Sequence, residues 1–174
     1  MRKARAMIVV ALVALLTVAV VTPATSTGWR PARFDVEAMP LPPGQVKCDD
    51  GRELAWLGTA IAKDGTAYGW AEFSDWSKET DRFLFFREPW MIFELDGEAP
   101  SVNAACESPL ISGDEVGVGV KARGTAYATG KVTSGPTAQF PGINQGSRML
   151  WSGTVDFERV PIFHAKVVIW PSRR

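Results

Sequence analysis

Between Val116 and Phe157 the chain reads VGVGVKARGTAYATGKVTSGPTAQFPGINQGSRMLWSGTVDF, three β-patterned runs threaded on glycine. Alternation with period two sets Val116, Val118 and Val120 on one face of a strand and Gly117 and Gly119 on the other, so one face is bulky and the other bare. A bare strand face admits close approach of backbone, ring or ligand, and glycines inside strands mark bulges and barrel corners. Gly117, Gly119, Gly130 and Gly153 therefore read as devices that bend a sheet toward closure.

The remaining strand signals agree. LAWLGTAIA and TAYGWAEF flank Asp64-Gly65, which suits a two-residue hairpin turn that would set Ile61 opposite Tyr68 and Thr59 opposite Trp70. SDWSKETD, from Ser74 to Asp81, reads as a loop or a single helical turn. RFLFFREPWMIFEL reads as strands at Phe83 to Arg87 and Trp90 to Leu95, or as one strand bent at Pro89. Asp96-Gly97 marks a turn, and EAPSVNAAC a long connection. The final run, IFHAKVVIW, puts Phe163, Ala165, Val167 and Ile169 on one face. About eight strands and no long helix predict an all-β domain, an antiparallel barrel that is closed or nearly so, with a two-sheet sandwich as the alternative.

Ahead of this domain, Arg2, Lys3 and Arg5 precede an apolar run from Ala6 to Val21 and then small polar residues, the order of a secretory signal peptide over 1–26. Cleavage after Ser26 or Ala24 would export the protein; an uncleaved helix would anchor it in a membrane. Residues 27–45, with Pro31, Pro40, Pro42 and Pro43, read as an extended Pro-rich leader unable to form an inner strand, and 46–174 as a single β domain. The chain carries 19 basic and 19 acidic side chains, and loss of the three basic signal residues leaves 16 against 19, a balance near −3. That charge, with basic residues scattered rather than clustered, excludes nucleic acid as a partner. In an exported chain the two cysteines, Cys48 and Cys106, are expected to pair. Asp49, Asp50 and Glu107 beside them oppose a reactive thiolate.

Catalytic signatures are sparse. The sequence has no G-x-S-x-G, H-E-x-x-H, P-loop or paired C-x-x-C, and its single histidine cannot build a histidine cage. Nothing in the sequence brings His164, Asp156 and Ser152 together as a triad. The acidic groups Asp49/Asp50/Glu53, Asp96/Glu98 and Asp114/Glu115 match no EF-hand spacing and read as solvated turns, so neither a metal nor a cofactor is expected. Glu72, Glu88 and Glu94 stand within or beside apolar strands, where burial would raise a carboxyl pKa and permit acid–base work. Of seven tryptophans, Trp56, Trp70, Trp90 and Trp151, with Tyr68 and Tyr127 as polar handles, are the candidates for lining a ligand pocket.

The stretch AYATGKVTSGPTAQFPGINQGSRMLWSGTV resembles the late strands of dirigent and allene-oxide-cyclase-type barrels, in which an A-x-T-G turn leads to F-x-G and a further glycine. The matching positions are Ala128, Thr129, Gly130, Phe140, Gly142 and Gly146. The resemblance implies an eight-stranded barrel able to hold a small apolar ligand and carries over no active-site residue. The leading expectation from the whole sequence is an exported binding barrel for a small apolar molecule or a cell-envelope partner; the alternatives are an isomerase- or cyclase-type enzyme using a buried carboxylate and a structural envelope or secreted interaction protein, the last not separable by sequence.

Overall fold

The computed structural model describes residues 30–107, 109–155 and 162–172, so the signal segment and Asp156 lie outside the described residues. The elements run β1 (Ala32–Pro40), β2 (Leu54–Ala62), β3 (Ala67–Phe73), β4 (Trp76–Glu79), β5 (Phe83–Phe93), α1 (Val102–Glu107), β6 (Pro109–Val120), β7 (Thr125–Val132), β8 (Arg148–Val155) and β9 (Phe163–Trp170). Every pairing is antiparallel, in the order β3-β2-β1-β9-β8-β7-β6-β5-β4, and β3 also pairs with β5. That last pairing closes eight strands into a barrel and leaves β4 as an extra strand on the first half of β5. Closure removes the free sheet edges that a sandwich would have left exposed.

Several local expectations are corrected. Residues 32–40 are not leader but β1, an inner strand between β2 and β9. Pro31 precedes it and Pro40 is its last residue, so neither proline interrupts the ladder, while Phe34, Val36 and Ala38 alternate into the core. The first hairpin turns through Lys63, Asp64 and Gly65, with Gly65 at φ 88° and Ala62 N–H donating to Thr66 O. This three-residue loop shifts the register by one, pairing Ala60 with Tyr68 and Gly58 with Trp70. Residues 76–79 form β4 rather than a helical turn, and the connection before Cys106 contains α1, whose Ala104 N–H is accepted by Ser101 Oγ. β5 passes straight through Pro89. On one side its neighbours stop short of it, β3 ending at the Glu72–Trp90 pair and β4 beginning at the Trp76–Arg87 pair.

The bare face of β6 points inward. Gly113, Glu115, Gly117 and Gly119 share it with Ile111, whereas Val116 is 54% exposed outside. A Cβ on Gly117 would stand 2.1 Å from Phe86 Cζ, and one on Gly113 would stand 2.3 Å from Lys131 O and 2.6 Å from Trp90. The glycines thus make room for rings. Trp70 stacks on Trp90 at 5.5 Å, Phe86 stacks on Trp151 at 5.8 Å, and Trp151 meets Phe163 edge-on at 4.7 Å. At one end the 133–147 loop inserts Phe140 against Phe34 and Tyr68, and Ser147 Oγ accepts hydrogen bonds from the Asn144 and Ser172 N–H groups.

A second, smaller core lies outside the barrel wall, where Leu54, Ala71, Phe73, Met91 and Phe93 pack under α1. The Cys48–Cys106 disulfide clips α1 to the β1–β2 connection, and Arg52 reinforces it, its guanidinium over Phe73 and its Nη2 donating to Cys106 O. Replacing both cysteines by serine is expected to lower the unfolding free energy by about 2–4 kcal/mol, measured by urea denaturation against the oxidised parent. Gly113→Ala is expected to cost about 1–3 kcal/mol by the same measurement, because its methyl meets backbone as well as a packed indole.

Candidate functional site

The interior is apolar except for one group of carboxyls. Among the described residues the buried charged side chains are Glu72 and Glu115, 3% and 2% exposed, and the partly buried Glu88 joins them. Sheet register makes the cluster. Glu88 lies directly across from Glu115 in the β5–β6 ladder, and Glu72 lies across from Trp90, two residues along β5 from Glu88. One oxygen from each carboxyl lies within 4.8 Å of the others.

Two indoles orient the outer members. Trp70 Nε1–H donates to Glu72 Oε1 at 2.9 Å, and Trp151 Nε1–H, reaching across from β8, donates to Glu115 Oε2 at 2.8 Å. Two polar atoms nearby are buried without partners, Glu115 Oε1 and Trp90 Nε1. Trp90 sits between Glu72 on β3 and Gly113 on β6, in the same part of the interior.

All three carboxyls are displaced upward. Burial raises Glu72, with the Glu88 carboxyl and the Trp70 N–H opposing it. Burial first and the negative charge of Glu72 second lift Glu88 from 4.5 to about 9. Burial, then the charge of Glu72, raise Glu115, against the pull of the Trp151 N–H. Like charges held this close in an apolar setting cannot all ionise, so the cluster keeps protons at neutral pH.

The sequence candidates are placed as follows. Glu72 and Glu88 come together in the interior, whereas Glu94 lies just past β5, exposed, accepting a hydrogen bond from Gln139 Nε2 at 3.0 Å. Glu94 is therefore not a buried carboxylate, since β5 ends at Phe93 and Glu94 falls beyond the strand. Trp56, Tyr68, Trp70, Trp90 and Trp151 all face inward, with Trp56 opposite Glu72 and 5.9 Å from Phe163. Tyr127 is 50% exposed on the outer face, in line with Phe85 and Val118, and lines no interior site. His164 and Ser152 also face outward, His164 Nδ1 lying 3.5 Å from Glu37. Ala128, Thr129 and Gly130 belong to the body of β7 rather than to a turn.

Glu115 is the member that a sequence reading passes over as a turn residue. Its signal was the alternation itself, because Glu115 falls in step with Gly113, Gly117 and Gly119 and must share their face. Glu88 and Pro89 lie between the end of the β3–β5 ladder and the start of the β4–β5 ladder, so β5 is unpaired there on one side. A groove of about 770 Å³ runs along β4, lined by Trp76, Phe85 and Arg87 and by the inward-facing Phe86 and Gly117. No family model, curated protein or solved structure matches the chain.

The carboxyl shifts make stability fall with pH. Because the folded-state pKa values exceed the unfolded ones, the folded protein holds more protons across the interval. The stabilisation is complete below the unfolded value near 4.5 and is lost as pH rises toward about 9 for Glu88. Thermal unfolding followed by circular dichroism is expected to show the melting temperature declining over that range, and Glu88→Gln is expected to flatten the decline.

Proposed function

We propose that the protein is a binding barrel for a small molecule with an apolar body and an oxygen-bearing head, taken up at the Glu72–Glu88–Glu115 cluster. The observation that carries this reading is the convergence of three carboxyls inside an otherwise apolar, ring-lined barrel. Apolar residues of similar volume at those positions would be less costly to bury, so the cluster is a site rather than a packing solution. Trp90 Nε1–H offers an unpartnered donor for the head. Export belongs to the same reading, resting on the N-terminal sequence and fitting the Cys48–Cys106 disulfide.

A second reading, isomerase- or cyclase-type proton transfer, is favoured by the close approach of three carboxyls whose pKa values burial raises. A neutral Glu88 can donate its proton to a carbonyl oxygen of the bound molecule while an ionised neighbour accepts a proton from carbon, leaving the cluster's proton count unchanged.

Purified protein incubated with a small-molecule extract of cells, washed, denatured and examined by mass spectrometry is expected to release a compound that Glu115→Gln retains at least about tenfold less well. Release of the same compounds in equal amounts by both proteins, or of none by either, removes the binding reading. Recovery of an isomer of the added compound from the parent alone establishes the enzymatic one.

A further inference from the structure

We infer that Glu72, Glu88 and Glu115 form a binding site for a hard divalent cation of the Mg²⁺, Mn²⁺ or Ca²⁺ class inside the barrel. The inference goes beyond the small-molecule reading and stands without it. One oxygen from each carboxyl lies within 4.8 Å of the other two, a spread that an ion with bonds of about 2.1–2.5 Å can bridge.

Acidic convergence alone is weak ground, since such groups often merely share protons. The additional observation is Glu115, 2% exposed, whose Oε2 is held by the Trp151 N–H while Oε1 is buried with no partner. A buried carboxylate oxygen needs a donor or a cation. Among the described residues no lysine, arginine or histidine is buried with it. Arg87, next to Glu88 in sequence, and Lys131, across from Asp114 in the β6–β7 ladder, face outward, and Arg87 pairs with Asp75 at 2.8 Å.

The indoles fit the same role. Trp70 and Trp151 each fix one oxygen of a cluster carboxyl, as outer hydrogen-bond donors fix carboxylates that bind metals. The unsatisfied Trp90 Nε1–H can donate to a water or ligand oxygen that completes the ion's shell. An all-oxygen set without histidine or thiolate selects hard ions over Zn²⁺ or Cu²⁺. Glu88, the least buried of the three, lies where neither β3 nor β4 pairs with β5.

Terbium, an oxygen-seeking probe of the Ca²⁺ type, tests the site through the neighbouring indoles. Titration of the disulfide-bonded protein with Tb³⁺ under indole excitation is expected to give saturable sensitised emission that Ca²⁺, Mn²⁺ or Mg²⁺ displaces. Glu115→Gln is expected to weaken Tb³⁺ binding by at least about tenfold, and Trp151→Phe, which keeps every carboxyl, by about tenfold. Absence of sensitised emission from the parent overturns the inference, as does emission that none of the three divalent ions displaces. Unchanged affinity in a Glu115→Gln protein with parental circular dichroism also overturns it. Should that variant lose its fold, Trp151→Phe decides, and unchanged affinity there has the same force. The released-compound experiment reads a different quantity, so the two readings fail separately.

Discussion

The barrel closes because aromatic rings from β5 sink into the glycine face of β6. Phe86 occupies the space over Gly117 and Trp90 the space over Gly113, at separations where a single methyl would collide. This interpenetration does two things at once. It lets a small barrel hold Trp70, Trp90, Trp151, Phe86 and Phe163 in contact, and burial of such rings is the largest apolar contribution available to a domain of this size. It also fixes the β5–β6 register, since a slip of one residue would set Phe86 across from Val116 or Val118 and Trp90 across from Ser112 or Asp114. That register is what puts Glu88 across from Glu115.

The carboxyl cluster is thus a consequence of the same ladder that forms the core. β3 contributes Glu72 because its pairing with β5 ends at Trp90, and the break before β4 leaves Glu88 with an unpaired neighbour on one side. Pro89 is tolerated at this break, where one side of β5 has no strand to bond. A proline that looks like an interruption in the sequence marks the point where β5 passes from one partner strand, β4, to the other, β3.

Much of this was legible from residue patterns, and the failures have physical causes. The alternation of Phe163 to Ile169 and the bare face of Val116 to Val120 identify strand faces directly, because side-chain direction in a strand depends only on parity. Closure, the eight-strand barrel and the Cys48–Cys106 bridge follow from those faces and from cysteine number. Residues 32–40 were obscured by prolines that prove to lie at the ends of β1, where the ladder does not need their N–H groups. The first hairpin was displaced by one position because Asp-Gly serves both two- and three-residue loops, and only the packing of Tyr68 and Trp70 into the barrel selects between them. Glu94 and Glu115 exchanged roles for a different reason. Apolar neighbours suggested burial for Glu94 and acidic ones suggested solvent for Glu115, but parity and strand length override local composition.

Three acids in an apolar barrel destabilise it unless they are protonated or matched by positive charge. The protein does not supply that charge from its own side chains among the described residues, yet it spends two tryptophan N–H groups holding the acids in place. A purely structural core gains nothing from this arrangement, because Leu or Met would fill the same volume without desolvating a carboxyl. The oriented oxygens of Glu72 and Glu115, the partly buried Glu88 and the unpartnered N–H of Trp90 share the inward face of the ring-filled barrel, and the proposed site rests on that convergence.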